Sequence, residues 1–202
     1  EGVGEPTAQE IGTFRPPDGG QVCFSPDGRK FAYYWGIEDL DVFDFDRCTG
    51  LLSNPVHIDI DDYNAGGGVA FSPNSQLLYL STILDVYQFD VTTPDVAASM
   101  VHIAEWDSFY SPSPPSATLF SMSLLAPDGR IYMTTGNSTD RLHVINEPDQ
   151  PGFACDLVQH GVVLPTYYHE SIPNHPNYHL GPVDGSICDS LGINAGIPEP
   201  GP

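Results

Sequence analysis

One phrase occurs three times in this chain, and it constrains the fold more than any other feature. Phe24-Ser25-Pro26-Asp27-Gly28-Arg29-Lys30-Phe31 returns as Phe71-Ser72-Pro73-Asn74-Ser75-Gln76-Leu77-Leu78, and again as Leu125-Ala126-Pro127-Asp128-Gly129-Arg130-Ile131-Tyr132. Each copy reads as strand, tight turn, strand. Proline sets φ at the first turn position, Asp-Gly or Asn-Ser suits the next two, and an aromatic or aliphatic run leaves the turn. A third strand follows each copy: Leu40–Asp46, Asp85–Asp90 and Leu142–Asn146. The first two alternate apolar and polar residues, as a strand with one buried face does. Fourth-strand candidates are Val56–Ile60, Met100–Ala104 and Phe153–Val158.

Pro26, Pro73 and Pro127 stand 47 and 54 residues apart, a repeat length that fits a four-stranded propeller blade with variable loops. No long segment carries a helical apolar period. The fold class expected is therefore all-β, a propeller of about three to four four-stranded blades. The repeats fall near residues 24–70, 71–124 and 125–180, so residues 1–191 form the propeller segment and 192–202 a Pro/Gly linker or tail. Closed propellers have four to eight blades. Three full repeats thus suggest either a fragment of a larger ring or an open array whose edge strands pair with other copies.

Charge narrows the choice of partner. The chain has 27 acidic residues against 6 basic ones, a formal net charge of −21, and Lys30 is its one lysine. Such a polyanion repels nucleic acid and anionic membranes, and no apolar stretch is long enough to insert in a bilayer. The four cysteines, Cys23, Cys48, Cys155 and Cys188, include no Cys-x-x-Cys pair, so zinc-ribbon spacing is absent. An even cysteine count in a lysine-poor β chain points to secretion and disulfides, with Cys23–Cys48 and Cys155–Cys188 preferred among three pairings; four buried thiols are the alternative.

Phe45-Asp46-Arg47-Cys48-Thr49-Gly50, Gly67-Gly68-Val69-Ala70-Phe71-Ser72-Pro73, Leu142-His143-Val144-Ile145 and Pro173-Asn174-His175-Pro176-Asn177-Tyr178-His179-Leu180-Gly181-Pro182 carry a resemblance. Over roughly residues 20–193 the chain resembles secreted β-propeller proteins of Bacteroidetes bacteria, which often bear a domain for type IX secretion. The resemblance implies an extracellular or cell-surface propeller and brings no catalytic residues. Asp189-Ser190-Leu191 fits the O-glycosylation pattern of that phylum, making Ser190 a candidate glycosylation site.

Motifs for chemistry are sparse. His169-Glu170 opens like a zinc-protease signature, but Pro173 stands where the second histidine belongs. His175 and His179 are separated by Pro176, which opposes a shared helical face. Asp59, Asp61 and Asp62 resemble part of a calcium loop, although Tyr63 and Ala70 occupy two ligand positions; they are the candidate metal ligands, with calcium the candidate ion. Asp41, Asp44 and Asp46 read as solvated outer-strand carboxylates. Tyr33, Tyr34, Trp35, Tyr167 and Tyr168 offer faces for stacking on carbohydrate. The expected role is a non-catalytic structural or interaction module at the cell surface that associates with itself or with other surface proteins. The alternative is a calcium- or carbohydrate-binding propeller, or a propeller enzyme with an axial pocket.

Overall fold

A computed structural model describes residues 7–15, 19–61, 66–113, 115–173, 177, 180 and 181. Twelve strands fold into three four-stranded antiparallel sheets, each a meander in chain order. The first holds β1 (Gln21–Phe24), β2 (Lys30–Trp35), β3 (Asp39–Asp46) and β4 (Leu51–Ile58). The second holds β5 (Gly68–Phe71), β6 (Leu77–Ser81), β7 (Asp85–Asp90) and β8 (Val101–Glu105). The third holds β9 (Ser123–Leu125), β10 (Ile131–Met133), β11 (Thr139–Ile145) and β12 (Leu157–Tyr168). The leading strands β1, β5 and β9 lie side by side, so the sheets radiate from them as blades.

The repeated phrase is a side-chain-locked hairpin turn. Ser25 Oγ accepts from the Lys30 amide at 2.9 Å and donates to Asp27 Oδ1, which in turn accepts from the Arg29 amide at 3.0 Å. Ser72 and Asn74 repeat this arrangement. In the third copy Ala126 has no hydroxyl, and Asp128 alone caps the Arg130 amide at 3.1 Å. These local bonds supply the turn with partners its backbone would otherwise lack.

Two apolar layers hold the blades together. Ala32, Tyr34, Leu40 and Val42 of the first blade meet Val69, Phe71, Leu78, Leu80 and Phe89 of the second. Ala70, Tyr79 and Val86 on the opposite face of the second blade meet Phe120, Ile131, Met133 and Ile145 of the third. Strand alternation sends odd and even positions to opposite neighbours. This is why Val69, Ala70 and Phe71 are all buried. Phe24, at the repeat position of Phe71, is 52% exposed where Phe71 is 2% exposed. Its ring meets those of Phe31 and Phe45 at tilted angles on the outward face of the first blade.

The fourth strand of the last blade departs from expectation. Residues 152–155 form a 3-10 turn, and Asp156 ends it in a left-handed conformation with φ of 54°. The strand then starts at Leu157 and runs to Tyr168.

The expected disulfides are corrected. Cys23 and Cys155 both carry free thiols, so neither Cys23–Cys48 nor Cys155–Cys188 is formed. Cys23 lies on β1, while Cys48 follows β3, with β2 between them. Two strand spacings are roughly 9–10 Å, beyond the Cα reach of a disulfide. Cys23 packs instead against the first apolar layer, and burial pushes its thiol pKa up to about 12. Cys188 itself, with Asp62, His175, His179 and Ser190, lies outside the described residues. No helix among the described residues is long and apolar enough to cross a membrane.

Candidate functional site

Because every sheet is a meander, the start of its first strand and the end of its second lie at the same end. At that end the three blades enclose a cavity of about 150 Å³, whose lining includes Gly20, Tyr34, Trp35, Gly67, Met122 and Glu170. Gly20 and Gly67 occupy the same place in successive repeats, just ahead of β1 and β5. Their φ values are +115° and +124°, conformations that side-chain-bearing residues rarely adopt. A methyl group on Gly20 would lie 2.5 Å from the Tyr34 carbonyl oxygen; one on Gly67 would lie on the Ser81 carbonyl.

Beneath the cavity the three leading strands are joined by one side chain. Gln21 Oε1 accepts from the amides of Val69 at 3.2 Å and Ser123 at 2.9 Å, and its Nε2 donates to the Ser123 carbonyl. Ser81 Oγ donates to the Ser121 carbonyl and lies 3.1 Å from Ser123 Oγ. Above this polar floor, Glu170 is the acidic group of the lining, and Ser121 Oγ lies 3.5 Å from its Oε1. No lysine or arginine lines the cavity among the described residues. The site therefore offers a flat indole, a carboxylate acceptor and backbone groups, but no counter-charge for an anion.

The aromatic residues expected to stack on ligand divide accordingly. Trp35 reaches the cavity. Tyr34 also borders it, but its ring is 1% exposed and packs between the first two blades. Tyr33 lies beneath the Arg15 guanidinium, 4.4 Å from ring centre to cation. Tyr168 turns inward: its hydroxyl accepts from the Thr135 amide at 2.9 Å and donates to the Arg141 carbonyl at 2.8 Å. Burial raises its pKa. Tyr167 stays exposed.

A second group of polar side chains stands at the same end of the first blade. Asp41, read from sequence as solvated, is 2% exposed. It accepts from Arg15 Nε at 3.1 Å and Thr13 Oγ1 at 3.2 Å, and lies 2.8 Å from His57 Nδ1. The segment before β1 brings Arg15 over this face, so the carboxylate is buried with its countercharge. His57 Nε2 lies 3.4 Å from Asp59 Oδ1. Asp59 is thus gathered with His57 and Asp39; Asp61 is not part of that group. Sequence reasoning missed Asp39, His57 and Arg15. Their alignment follows from strand pairing, Asp41 opposite His57 and Asp39 opposite Trp35, and no linear spacing announces it. His169 is not in that group, and Glu170 serves the cavity instead.

No protein-family model matches the sequence, and no curated protein matches it. Solved structures do. A candidate 6-phosphogluconolactonase from Bacteroides uniformis ATCC 8492 superposes with a TM-score of 0.50 at 15% identity, covering 76% of this chain and 43% of that one. A candidate 6-phosphogluconolactonase from Bacteroides fragilis gives 0.48 at 16% identity, with 76% and 42% covered. Virginiamycin B lyase from Staphylococcus aureus gives 0.42 at 12%, with 68% and 39% covered. The chain thus spans about two fifths of the length of these proteins. The Bacteroides uniformis protein is an enzyme by name, so the expected non-catalytic structural module is corrected to a propeller segment whose role the fold does not fix. These structures do not identify a reaction at such low identity. What the likeness establishes is the architecture, three consecutive blades of a β-propeller.

Proposed function

We propose that this chain forms part of an enzymatic or ligand-binding propeller that takes a small, uncharged, hydroxyl-rich molecule of carbohydrate type at the cavity between its leading strands. The carrying observation is the pairing of Trp35 with Glu170 in a lining without cations. An indole face packs against the apolar C–H face of a sugar ring, and a carboxylate accepts hydrogen bonds from its hydroxyls. Few convergent polar groups in a concave site are the usual form of such pockets. Glu170 is also the general base the cavity offers, positioned to take a proton from water or a ligand hydroxyl. A phosphorylated sugar lactone, the substrate class named for the Bacteroides proteins, does not suit this lining. It would meet Glu170 and a chain of net charge −21 without a countercharge. The resemblance to secreted Bacteroidetes propellers supports an extracellular setting.

The test uses Trp106→Phe protein, so that Trp35 is the sole emitter. Neutral sugars and aldonolactones are titrated against their phosphate esters. Neutral members are expected to change Trp35 emission, and Glu170→Gln to weaken binding about tenfold or more, the usual loss for a hydrogen bond to a charged group. Tighter binding of the phosphate esters, or a silent Trp35 across the panel, would overturn the proposal.

A further inference from the structure

We propose a divalent transition-metal site, of the kind zinc occupies, formed by Asp39, His57 and Asp59 at the rim of the first blade. One ligand atom from each of the three lies within 4.8 Å of the other two. The set is mixed, with an imidazole nitrogen beside two carboxylates, which favours zinc-like ions over calcium's all-oxygen shell.

Three features give the group the form of a metal centre. Asp41 is buried and sits 2.8 Å from His57 Nδ1. A proton held on Nδ1 by that carboxylate leaves the Nε2 lone pair free, and it is Nε2 that faces Asp59. A buried carboxylate fixing the tautomer and orientation of a ligating histidine is the usual outer partner in zinc sites. Asp41 is itself held by Arg15 and Thr13, and this ion pair is balanced within itself. The two remaining carboxylates therefore supply the charge that a divalent ion requires.

Asp39 is equally constrained. It opens β3, its Oδ1 accepts from the Ile60 amide at 3.1 Å, and its carbonyl accepts from Arg15 at 3.0 Å. Asp59 is 93% exposed, so its side chain has room to turn. Ligand atoms around zinc stand roughly 3–4 Å apart, given bond lengths of about 2.0–2.2 Å. Rotation of Asp59 about its side-chain bonds closes the remaining gap. Three protein ligands leave a fourth position open to water or a substrate oxygen. Asp39 pairs across the sheet with Trp35, which lines the cavity. These side chains form the metal site whatever the cavity binds.

The test is calorimetric titration of chelator-treated protein with Zn²⁺, repeated with Co²⁺ while following visible absorption. One equivalent of Zn²⁺ is expected to bind and to persist in millimolar Ca²⁺, with Co²⁺ giving ligand-field bands. His57→Ala and Asp39→Asn should each weaken binding at least tenfold, while Asp61→Asn leaves it unchanged. Asp41→Asn should weaken it about 10–100-fold, as loss of an outer partner does; circular dichroism checks that this variant folds. Should Asp41→Asn not fold, the His57→Ala and Asp39→Asn variants decide. Absence of one-equivalent binding, binding that survives His57→Ala, or displacement by Ca²⁺ would each overturn the assignment.

Discussion

Gly67→Ala is expected to lower the unfolding free energy by roughly 3–5 kcal/mol, a large share of the ~5–15 kcal/mol that holds a domain folded. Two effects combine. The φ of +124° lies where a Cβ is sterically excluded. The added methyl would also fall on the Ser81 carbonyl and 2.8 Å from Tyr34 Cε1. Neither neighbour can yield cheaply: Ser81 belongs to the β5–β6 ladder, and Tyr34 is locked between blades. Gly129→Ala is the matched control. It also has positive φ, +83°, but nothing lies within 4 Å of the new methyl, so its cost should stay near the roughly 1–2 kcal/mol of a left-handed residue. Urea unfolding of both variants measures the difference; equal costs would refute the close-contact argument.

A second large effect is expected on acidification. His143 is fully buried beside Phe120. Its Nδ1 accepts from the His160 amide at 3.0 Å, which places the proton on Nε2, 3.4 Å from the Leu119 carbonyl. Burial, with a smaller contribution from His160, depresses its pKa from 6.5 to about 4. Between those values the unfolded chain binds the proton and the folded chain does not. Stability from this group is therefore complete above about pH 6.5 and is lost as pH falls toward 4, by up to about 3 kcal/mol. Asp44, Asp46 and Asp128, whose hydrogen bonds hold them below the ordinary carboxylate range, add their losses at lower pH. Subtracting the pH profile of His143→Gln from that of the parent protein isolates the effect. A difference that is flat between pH 6.5 and 4.5 would count against it.

The repeat made the architecture legible because turn chemistry and strand alternation are local properties. Ser25-Pro26-Asp27 and Ser72-Pro73-Asn74 write their hydrogen bonds into consecutive residues. The two sites are products of pairing and packing. In sequence Asp59 stands out by its acidic neighbours, whereas the residues gathered with it are Asp39 and His57, brought over by the β3–β4 register. Arg15 reaches Asp41 across 26 residues. Asp41 looked solvated because an alternating strand does not reveal which outward face a preceding segment will cover. The cysteine pairing failed for a related reason. An even count carries no distance, and the distance was set by β2 lying between β1 and β3.

The amide of Gln21 has a consequence for the order in which this molecule assembles. Each sheet pairs strands that are neighbours in sequence, so a blade can form before the next one exists, at small loop-closure cost. The Gln21–Ser123 bonds span 102 residues and become available only when the first and third blades are both in place. They are expected to form after the rate-limiting barrier. Gln21→Ala should then speed unfolding and leave refolding nearly unchanged in stopped-flow chevrons. Slower refolding would instead put the contact in the nucleus. On the expected outcome, one side chain sets how long the finished assembly lasts and has no part in how fast it is made.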